Sequence, residues 1–240
     1  VVVAGKGITY DTGGLAVKPR ESMVAMKTDM SGAAVALATV LGAAALGLPH
    51  RVTALLPLAE NAVGGASYRP GDVLRVHGGT TVEVVDTDAE GRLVLADALA
   101  YAAAELQPDV LVDVATLTGA ATLGLGRGHG ALFTPDDALA DALVAAGEAA
   151  GEPLWRLPLV ADYRPLLDSR VADVRHVADR GAGAGAITAA LFLERFAGGR
   201  RWAHLDIAGP ARATKDAHEV PEGATGFGAR ALLRWIAEGL

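Results

Sequence analysis

The chain has 240 residues, of which 51% are hydrophobic and 20% are charged, a composition that indicates a globular protein with a well-buried core and excludes a disordered chain. The formal net charge is -7, and no cluster of Lys and Arg interrupts this acidic balance, so we expect no nucleic-acid partner. Cysteine is absent, which excludes disulfides and thiolate metal ligands and favours the cytoplasm as the location.

Short apolar runs alternate with helical patterns along the chain. Buried strands are predicted at residues 1–4, 51–59, 110–115 and 202–208, and a hairpin pairs 73–77 with 81–85. Helices are predicted from Ser31, as N-cap, to about Leu48, and over 92–106, 138–150, 184–196 and 229–237. Solid apolar strands that alternate with helices predict a three-layer α/β/α domain over residues 1–240, with a central mixed, mostly parallel sheet covered by helices on both faces.

Two glycine-rich segments and one apolar segment are interpreted separately. Residues 5–14 and 60–72 are rich in glycine and are predicted to be loops. The run 32–48 is almost uncharged, but it is short for a membrane span and rich in Ala and Gly. We therefore interpret it as a buried core helix and expect no membrane partner.

Four carboxylates lie in loops just after or beside predicted strands: Asp11, Asp29, Asp88 and Glu90. In open α/β sheets, binding sites collect at the carboxyl ends of the strands. Carboxylates that converge there would repel one another unless cations neutralise them, and oxygen ligands suit divalent metals. Taken singly, each acid is more typical of an ordinary turn residue. Taken together, with their flanking glycines, they indicate a site for two divalent ions.

Three segments of this chain closely resemble the leucyl aminopeptidases, the cytosol aminopeptidase family of two-metal exopeptidases. They are residues 5–14, 26–32 and 84–93. The last contains the family signature N-T-D-A-E-G-R-L, here from Asp86 to Leu93, with Asp86 in place of the Asn of most members. The resemblance continues through residues 113–120 and 202–209 and covers essentially the whole chain. The departure at Asp86 adds a negative charge two residues from a predicted ligand and bears on the metal preference rather than on the fold.

The resemblance implies a role for each ligand. Asp11 and Glu90 would bridge two divalent ions, with Asp29 and Lys6 completing one site and Asp88 the other. The ions would be Zn²⁺ or Mn²⁺, with Mg²⁺ as an alternative. A lysine can donate a lone pair only when its amine is neutral, so the cation must keep the proton off Lys6. Without the resemblance, Lys6 would be read as a solvated or ion-paired lysine.

The resemblance also implies how the chemistry is divided. Lys18 would polarise the scissile carbonyl, and Arg92 would position a small anion, bicarbonate, as general base. The expected reaction removes N-terminal residues from short peptides, with leucine and other apolar residues preferred. The residues expected to line the side-chain pocket are Met26, Thr116, Gly119 and Ala208.

Family members usually carry a separate N-terminal domain, for which this sequence has no residues, and the resemblance implies a homo-hexamer built as a dimer of trimers. Two alternatives remain open. The chain could be a non-catalytic member with a DNA-binding or chaperone-like role, or a two-metal phosphatase, although a phosphatase would need His ligands or an arginine clamp. His204 is expected to be a satisfied core histidine rather than a metal ligand.

Overall fold

The computed structural model describes residues 1–179 and 181–239, and the predicted domain also includes Arg180 and Leu240, which lie outside the described residues. Its centre is a six-stranded sheet in the order β3-β1-β7-β11-β8-β9. These strands are β1 (Val2–Gly5), β3 (Thr53–Leu55), β7 (Val110–Ala115), β8 (Gly130–Phe133), β9 (Leu154–Arg156) and β11 (Arg201–Asp206). The pairs β1–β3, β1–β7, β7–β11 and β8–β9 are parallel and β8–β11 is antiparallel, so the predicted mixed, mostly parallel sheet is confirmed.

Helices cover both faces of this sheet, as predicted. Side chains of β1, β7 and β11 alternate between two hydrophobic clusters, because successive residues of a strand point to opposite faces. One face packs against α2 (Ser31–Ala45), α5 (Asp137–Ala150) and α7 (Ala229–Glu238). The other packs against α3 (Gly91–Tyr101), α4 (Gly119–Leu125) and α6 (Gly185–Glu194). A short helix, α1 (Arg20–Met23), precedes them.

Three smaller strand pairings surround the main sheet. β2 (Gly7–Asp11) pairs in parallel with β4 (Leu58–Asn61). β5 (Val73–Arg75) and β6 (Thr81–Glu83) form the predicted hairpin, and β10 (Val174–Arg175) extends it. β12 (Arg212–Ala213) pairs with β13 (Gly223–Ala224). The remaining helical turns are the 3₁₀ segments Met26–Thr28, Thr87–Ala89 and Ala161–Leu167 and the π-helical segment Ala102–Leu106, which continues α3.

Three sequence predictions were wrong in detail. Residues 51–59 form two strands, because the chain breaks at Leu56 and Pro57 and moves from pairing with β1 to pairing with β2. Proline has no N–H for a ladder, which makes this a natural break. Ser31 is the first helical residue rather than the N-cap, and its hydroxyl donates to the carbonyl of Thr28 (2.6 Å). The 5–14 loop contains β2.

Helix α2 belongs to the stretch Arg20–Ala45, which is long and apolar enough to cross a membrane by length and composition alone. In the structure, α2 begins only at Ser31 and packs closely on β1. A Cβ on Gly5 would lie 2.2 Å from the carbonyl oxygen of Gly32, and one on Gly32 would lie 2.1 Å from that of Val114. Glycine at both positions therefore lets the start of α2 approach the strand ends, as expected for a core helix.

Candidate active site

The predicted site residues meet at the carboxyl ends of the central strands. Lys6 directly follows β1, and Asp11 ends the neighbouring β2. Asp29 follows the turn Met26–Thr28, just before α2, whereas Asp88 and Glu90 belong to the turn that leads into α3. Elements distant in sequence thus bring one lysine and four carboxylates to one edge of the sheet, the usual location of sites in α/β proteins.

Lys6 is buried and contacts two of the carboxylates. Its Nζ lies 2.8 Å from Oδ2 of Asp29 and 3.0 Å from Oε1 of Glu90, and it donates to the carbonyl oxygen of Thr116 (3.0 Å). Burial by itself would lower the pKa of Lys6, but the charges of Glu90 and Asp29 raise it above its ordinary value. An ion that took Lys6 as a ligand would therefore have to displace a firmly held proton.

Lys18 makes a second bridge between the other two carboxylates. Its Nζ lies 2.8 Å from Oδ2 of Asp11 and 2.6 Å from Oδ1 of Asp88. Burial opposes protonation of Lys18, yet its hydrogen bonds to Asp11 and Asp88 leave its pKa raised. Two ammonium groups thus pair with four carboxylates, so the cluster keeps an excess of negative charge.

This excess makes the cluster suitable for divalent cations. One oxygen each from Asp11, Asp88 and Glu90 can be chosen so that all three lie within 4.8 Å of one another. The pKa values of Asp29, Asp88 and Glu90 are all raised, chiefly because burial disfavours their charged forms. Carboxylates that are buried or half-buried, crowded and hard to ionise are a donor set that a hard cation would stabilise, so the residues present fit the predicted metal ligands.

Asn61, which was not predicted from the sequence, holds two of these carboxylates. At the end of β4, its Nδ2 donates to Oδ1 of Asp11 (2.8 Å), to the carbonyl of Thr87 (2.9 Å) and, at 3.4 Å, to Oε2 of Glu90. The amide therefore links β2 to the turn before α3. The available signal was a polar residue just beyond a predicted strand, the position that the other ligands share.

Two further residues organise the loops of the site. Thr116 was predicted as a pocket residue, and its hydroxyl also donates to Oδ1 of Asp29 (2.7 Å). Asp206, at the end of β11, accepts from the backbone of Leu117 and Ala208 and from the hydroxyl of Thr118. A single buried carboxylate thus fixes the two loops that follow β7 and β11.

Arg92 is buried behind the carboxylates, near the start of α3. Its Nη1 donates to the carbonyl of His176 (2.5 Å), while its Nε has no hydrogen-bond partner in the described part of the chain. Burial lowers the pKa of Arg92 to about 10.

His176 in turn bonds the backbone of Val85 and Asp86 through its two ring nitrogens. Asp86 accepts from the backbone N–H of Asp88 (3.0 Å), so this departure from the signature shapes the turn that carries a predicted ligand.

A cleft of about 230 Å³ opens beside the carboxylates. The predicted ligands and catalytic lysine on its wall are Lys6, Asp11, Lys18, Asp29 and Asp88, and all four predicted pocket residues, Met26, Thr116, Gly119 and Ala208, line it too. Glu90 and Arg92 are not among the described residues that line the cleft.

His204 lies in the core as expected, but only one of its ring nitrogens has a hydrogen-bond partner. Its Nδ1 bonds Asp113 (2.5 Å), and its Nε2 is without a partner within residues 1–179 and 181–239.

Comparison with known proteins identifies the family. Residues 1–233 match the cytosol aminopeptidase family, catalytic domain. The chain belongs to the cytosol aminopeptidase family. Its curated relatives include "Probable cytosol aminopeptidase" of Chlorobaculum tepidum, 53% identical over 234 residues that cover 97% of this chain and 46% of the relative. The relative of the same name from Roseiflexus castenholzii is 53% identical over 239 residues, 99% of this chain and 48% of the relative.

Solved structures of similar proteins share the fold. The cytosol aminopeptidase from Coxiella burnetii superimposes with a TM-score of 0.93 at 44% identity, over 99% of this chain and 51% of that one. The bottromycin maturation enzyme BotP in complex with Mn gives a TM-score of 0.93 at 49% identity, over 99% of this chain and 52% of that one. The chain therefore spans about half the length of the relatives it matches.

Proposed function

We propose that this chain is the catalytic domain of a two-metal-dependent aminopeptidase that removes N-terminal residues, preferably leucine and other apolar residues, from short peptides. The observation that carries the proposal is the convergence of Lys6, Asp11, Asp29, Asp88 and Glu90 at one edge of the sheet, beside a cleft. Membership of the cytosol aminopeptidase family supports the same reaction.

In this proposal, Asp11 and Glu90 would each serve both of two divalent ions, Lys6 and Asp29 would complete one site, and Asp88 would complete the other. The ions would be Mn²⁺ or Zn²⁺, with Mg²⁺ as an alternative, and the complex of BotP with Mn favours manganese. When bound, such a pair supplies Lewis-acid polarisation of the scissile carbonyl and a water of lowered pKa. Lys6 would have to lose its proton on binding, because an ammonium group has no lone pair to offer.

The residues of the chain then have separate tasks. Lys18, held by Asp11 and Asp88 at the cleft wall, would donate a hydrogen bond to the carbonyl oxygen as negative charge develops on it. Met26, Thr116, Gly119 and Ala208 would receive the side chain of the first residue and orient the peptide. Arg92 would hold a small anion, bicarbonate, and this anion would act as the general base. The Nε of Arg92 is buried and has no hydrogen-bond partner among the described residues, which supports this role.

The reaction class can be tested with matched substrates. Leucine p-nitroanilide and p-nitrophenyl phosphate would be assayed with Mn²⁺, with Zn²⁺ and with excess chelator. We expect hydrolysis of the amide only, and its loss in chelator. Hydrolysis of the phosphate ester instead would indicate a phosphatase. No turnover of either substrate by metal-loaded protein would favour a non-catalytic role.

The roles of two residues can be separated in the same assay. Glu90→Gln should lose bound metal as well as rate, since a bridging carboxylate serves both ions. Lys18→Ala should retain both ions while losing transition-state stabilisation of about 2–4 kcal/mol. Metal content would be measured beside the rate, with the exposed Glu105→Gln as the control. Loss of metal from Lys18→Ala would contradict the division of roles between Lys6 and Lys18.

The proposal extends to the whole protein in three respects. We expect a single catalytic domain over residues 1–240, assembly as a homo-hexamer arranged as a dimer of trimers, and a cytoplasmic location, which the name of the family supports. Sedimentation equilibrium measures the assembly directly, and a monomer at all concentrations would contradict it for this chain.

A further inference from the structure

Two arginines line the part of the cleft that borders a neighbouring cavity, and the described lining of that cavity includes none of the predicted metal ligands. Arg127 and Arg212 line both the cleft and a neighbouring cavity of about 300 Å³, so they form the wall that the two spaces share. Among the described residues, neither guanidinium has a carboxylate within 4.0 Å. The one hydrogen bond from Arg127 is long, 3.5 Å from its Nη1 to the carbonyl of Gly209. Both cations are therefore available to a ligand.

The neighbouring cavity does not neutralise them. Its acidic lining residue among those described, Glu152, is buried and already accepts three hydrogen bonds. These come from the backbone N–H groups of Gly228 (2.9 Å) and Ala231 (2.8 Å), at the start of α7, and from Nε of Arg230 (3.1 Å). Glu152 thus caps a helix and pairs with a different arginine. Lys6 and Lys18, which also line the cleft, are paired with carboxylates.

The two arginines also belong to the same segments as the proposed side-chain pocket. Gly119 begins α4, a helix of seven residues and so about 10 Å long, and Arg127 follows its far end. Ala208 and Arg212 are four residues apart, with a helical hydrogen bond from the N–H of Ala211 to the carbonyl of Ile207 between them. A side chain that enters between Gly119 and Ala208 and extends away from the carboxylates therefore runs toward both guanidinium groups.

We propose that this cleft binds a carboxylate at the end of the substrate's first side chain, so that the enzyme removes N-terminal glutamate in addition to apolar residues. This inference rests on the proposed aminopeptidase function. Glutamate has the length to carry its charge past the apolar part of the pocket. Its carboxylate would accept charge-assisted hydrogen bonds from Arg212 and Arg127, which are stronger than the bonds that a neutral amide of the same shape accepts.

The same carboxylate chemistry could be supplied by the C-terminus of a short peptide, and the substrates distinguish the two sources. The p-nitroanilides of glutamate, glutamine and leucine have no C-terminal carboxylate. We expect kcat/KM for the glutamate compound to exceed that for the glutamine compound about tenfold, as the charged hydrogen bonds imply. A preference for Leu-Gly over Leu-Gly amide that depends on Arg212, with glutamate no better than glutamine, would assign the arginines to the C-terminus and overturn the proposal.

Substitution then tests the two arginines. Arg212→Gln and Arg127→Gln should each lower the ratio of glutamate to glutamine toward one, and Arg212→Lys should restore part of it. Arg51→Gln is the matched control, since Arg51 is exposed and lines a different cavity near the amino ends of the strands. An unchanged ratio in both cleft variants, or an equal fall in the control, would overturn the assignment. Arg127 is exposed, so its variant is expected to fold.

Failure of the proposed function can be recognised separately. If metal-loaded protein hydrolyses none of the three anilides, the aminopeptidase proposal fails, and binding then decides the present inference. Calorimetry with free glutamate and free glutamine compares ligands that share the α-amino and α-carboxylate groups. Tighter binding of glutamate that disappears in Arg212→Gln would support the carboxylate subsite, whereas equal binding would overturn it.

Discussion

At the scale of single residues, Asn61 solves an electrostatic problem that the carboxylates create. Asp11 and Glu90 are both buried, and each raises the cost of ionising its neighbours. The amide of Asn61 donates to both of them and to the backbone of Thr87, without adding charge. A neutral donor placed between two proposed bridging ligands orients them and lowers the cost of their repulsion.

Replacement of Asn61 should therefore weaken metal binding more than it weakens the fold. We expect Asn61→Leu to lower Mn²⁺ affinity about 10–100-fold, the range for residues that orient metal ligands. Calorimetry measures the affinity, and urea denaturation in chelator measures stability. Thr39→Val is the control, because Thr39 is also buried but its hydroxyl donates to the carbonyl of Val35 within α2, away from the carboxylates. Unchanged affinity in Asn61→Leu would contradict an orienting role.

His176 connects stability to pH at the same scale. Burial first, and then the charge of Arg92, lower its pKa from 6.5 to about 4. Between these values the imidazole of His176 binds a proton in the unfolded chain but not in the folded chain, so the contribution of His176 to stability falls as the pH drops from about 6.5 to 4. The loss amounts to about 3 kcal/mol at the acid end. His176→Gln should remove most of this slope, measured as the urea midpoint at pH 7 and at pH 5. Parallel losses in both proteins would show that other groups titrate there.

At the scale of elements, the turn Thr87–Ala89 and the start of α3 position three functional side chains in five residues. Asp86 caps the turn, Asp88 and Glu90 project toward the lysines, and Arg92 turns back into the core. Gly91 makes this crowding feasible, since a Cβ there would lie 2.3 Å from Cε of Lys6. The helix begins where the side chain of Lys6 passes over it.

Gly91→Ala should consequently behave unlike an ordinary substitution in a helix. Alanine is the better helix former by about 1 kcal/mol, but its methyl group would displace Lys6 from Asp29 and Glu90. We expect lower metal affinity and no gain in stability. Gly124→Ala in α4 is the matched control, because nothing lies within 4 Å of a Cβ there. Thermal melts and metal titration of both variants test this, and a stabilised Gly91→Ala with full metal affinity would contradict the close contact.

Local pattern predicted some elements better than others, and the difference has a physical basis. β7 coincides with the predicted strand 110–115, because every residue in it is buried and apolar except Asp113. Residues 51–59 were misread because the exchange of partners at Pro57 depends on β2, a distant strand. The ligand positions follow from short motifs at strand ends. Asn61 and His176 act through contacts 26 to 93 residues away in sequence, which no local pattern reveals.

At the scale of the whole molecule, the proposed metal centre joins elements that the core holds only separately. Lys6 follows β1 of the central sheet, Asp29 lies just before α2, Asp11 ends β2 of the small β2–β4 sheet, and Asp88 and Glu90 belong to the turn before α3. In the chain by itself, two lysines bridge these parts. Divalent ions would replace these lysine–carboxylate ion pairs with stronger metal–carboxylate contacts and would neutralise the negative charge that the two lysines leave.

Metal should accordingly raise the stability of the entire chain as well as its activity. At a free concentration 100 times the dissociation constant, one bound ion stabilises the folded state by about 2.7 kcal/mol. For a chain of this size, that corresponds to a rise in Tm of about 5–10 °C. Differential scanning calorimetry in Mn²⁺ and in chelator measures the shift. The double variant Asp29→Asn, Glu90→Gln should melt at the same temperature in both conditions, because the remaining carboxylates cannot complete the site. A shift of equal size in the double variant would place the stabilising ion elsewhere, and no shift in the unmodified chain would contradict the metal centre itself.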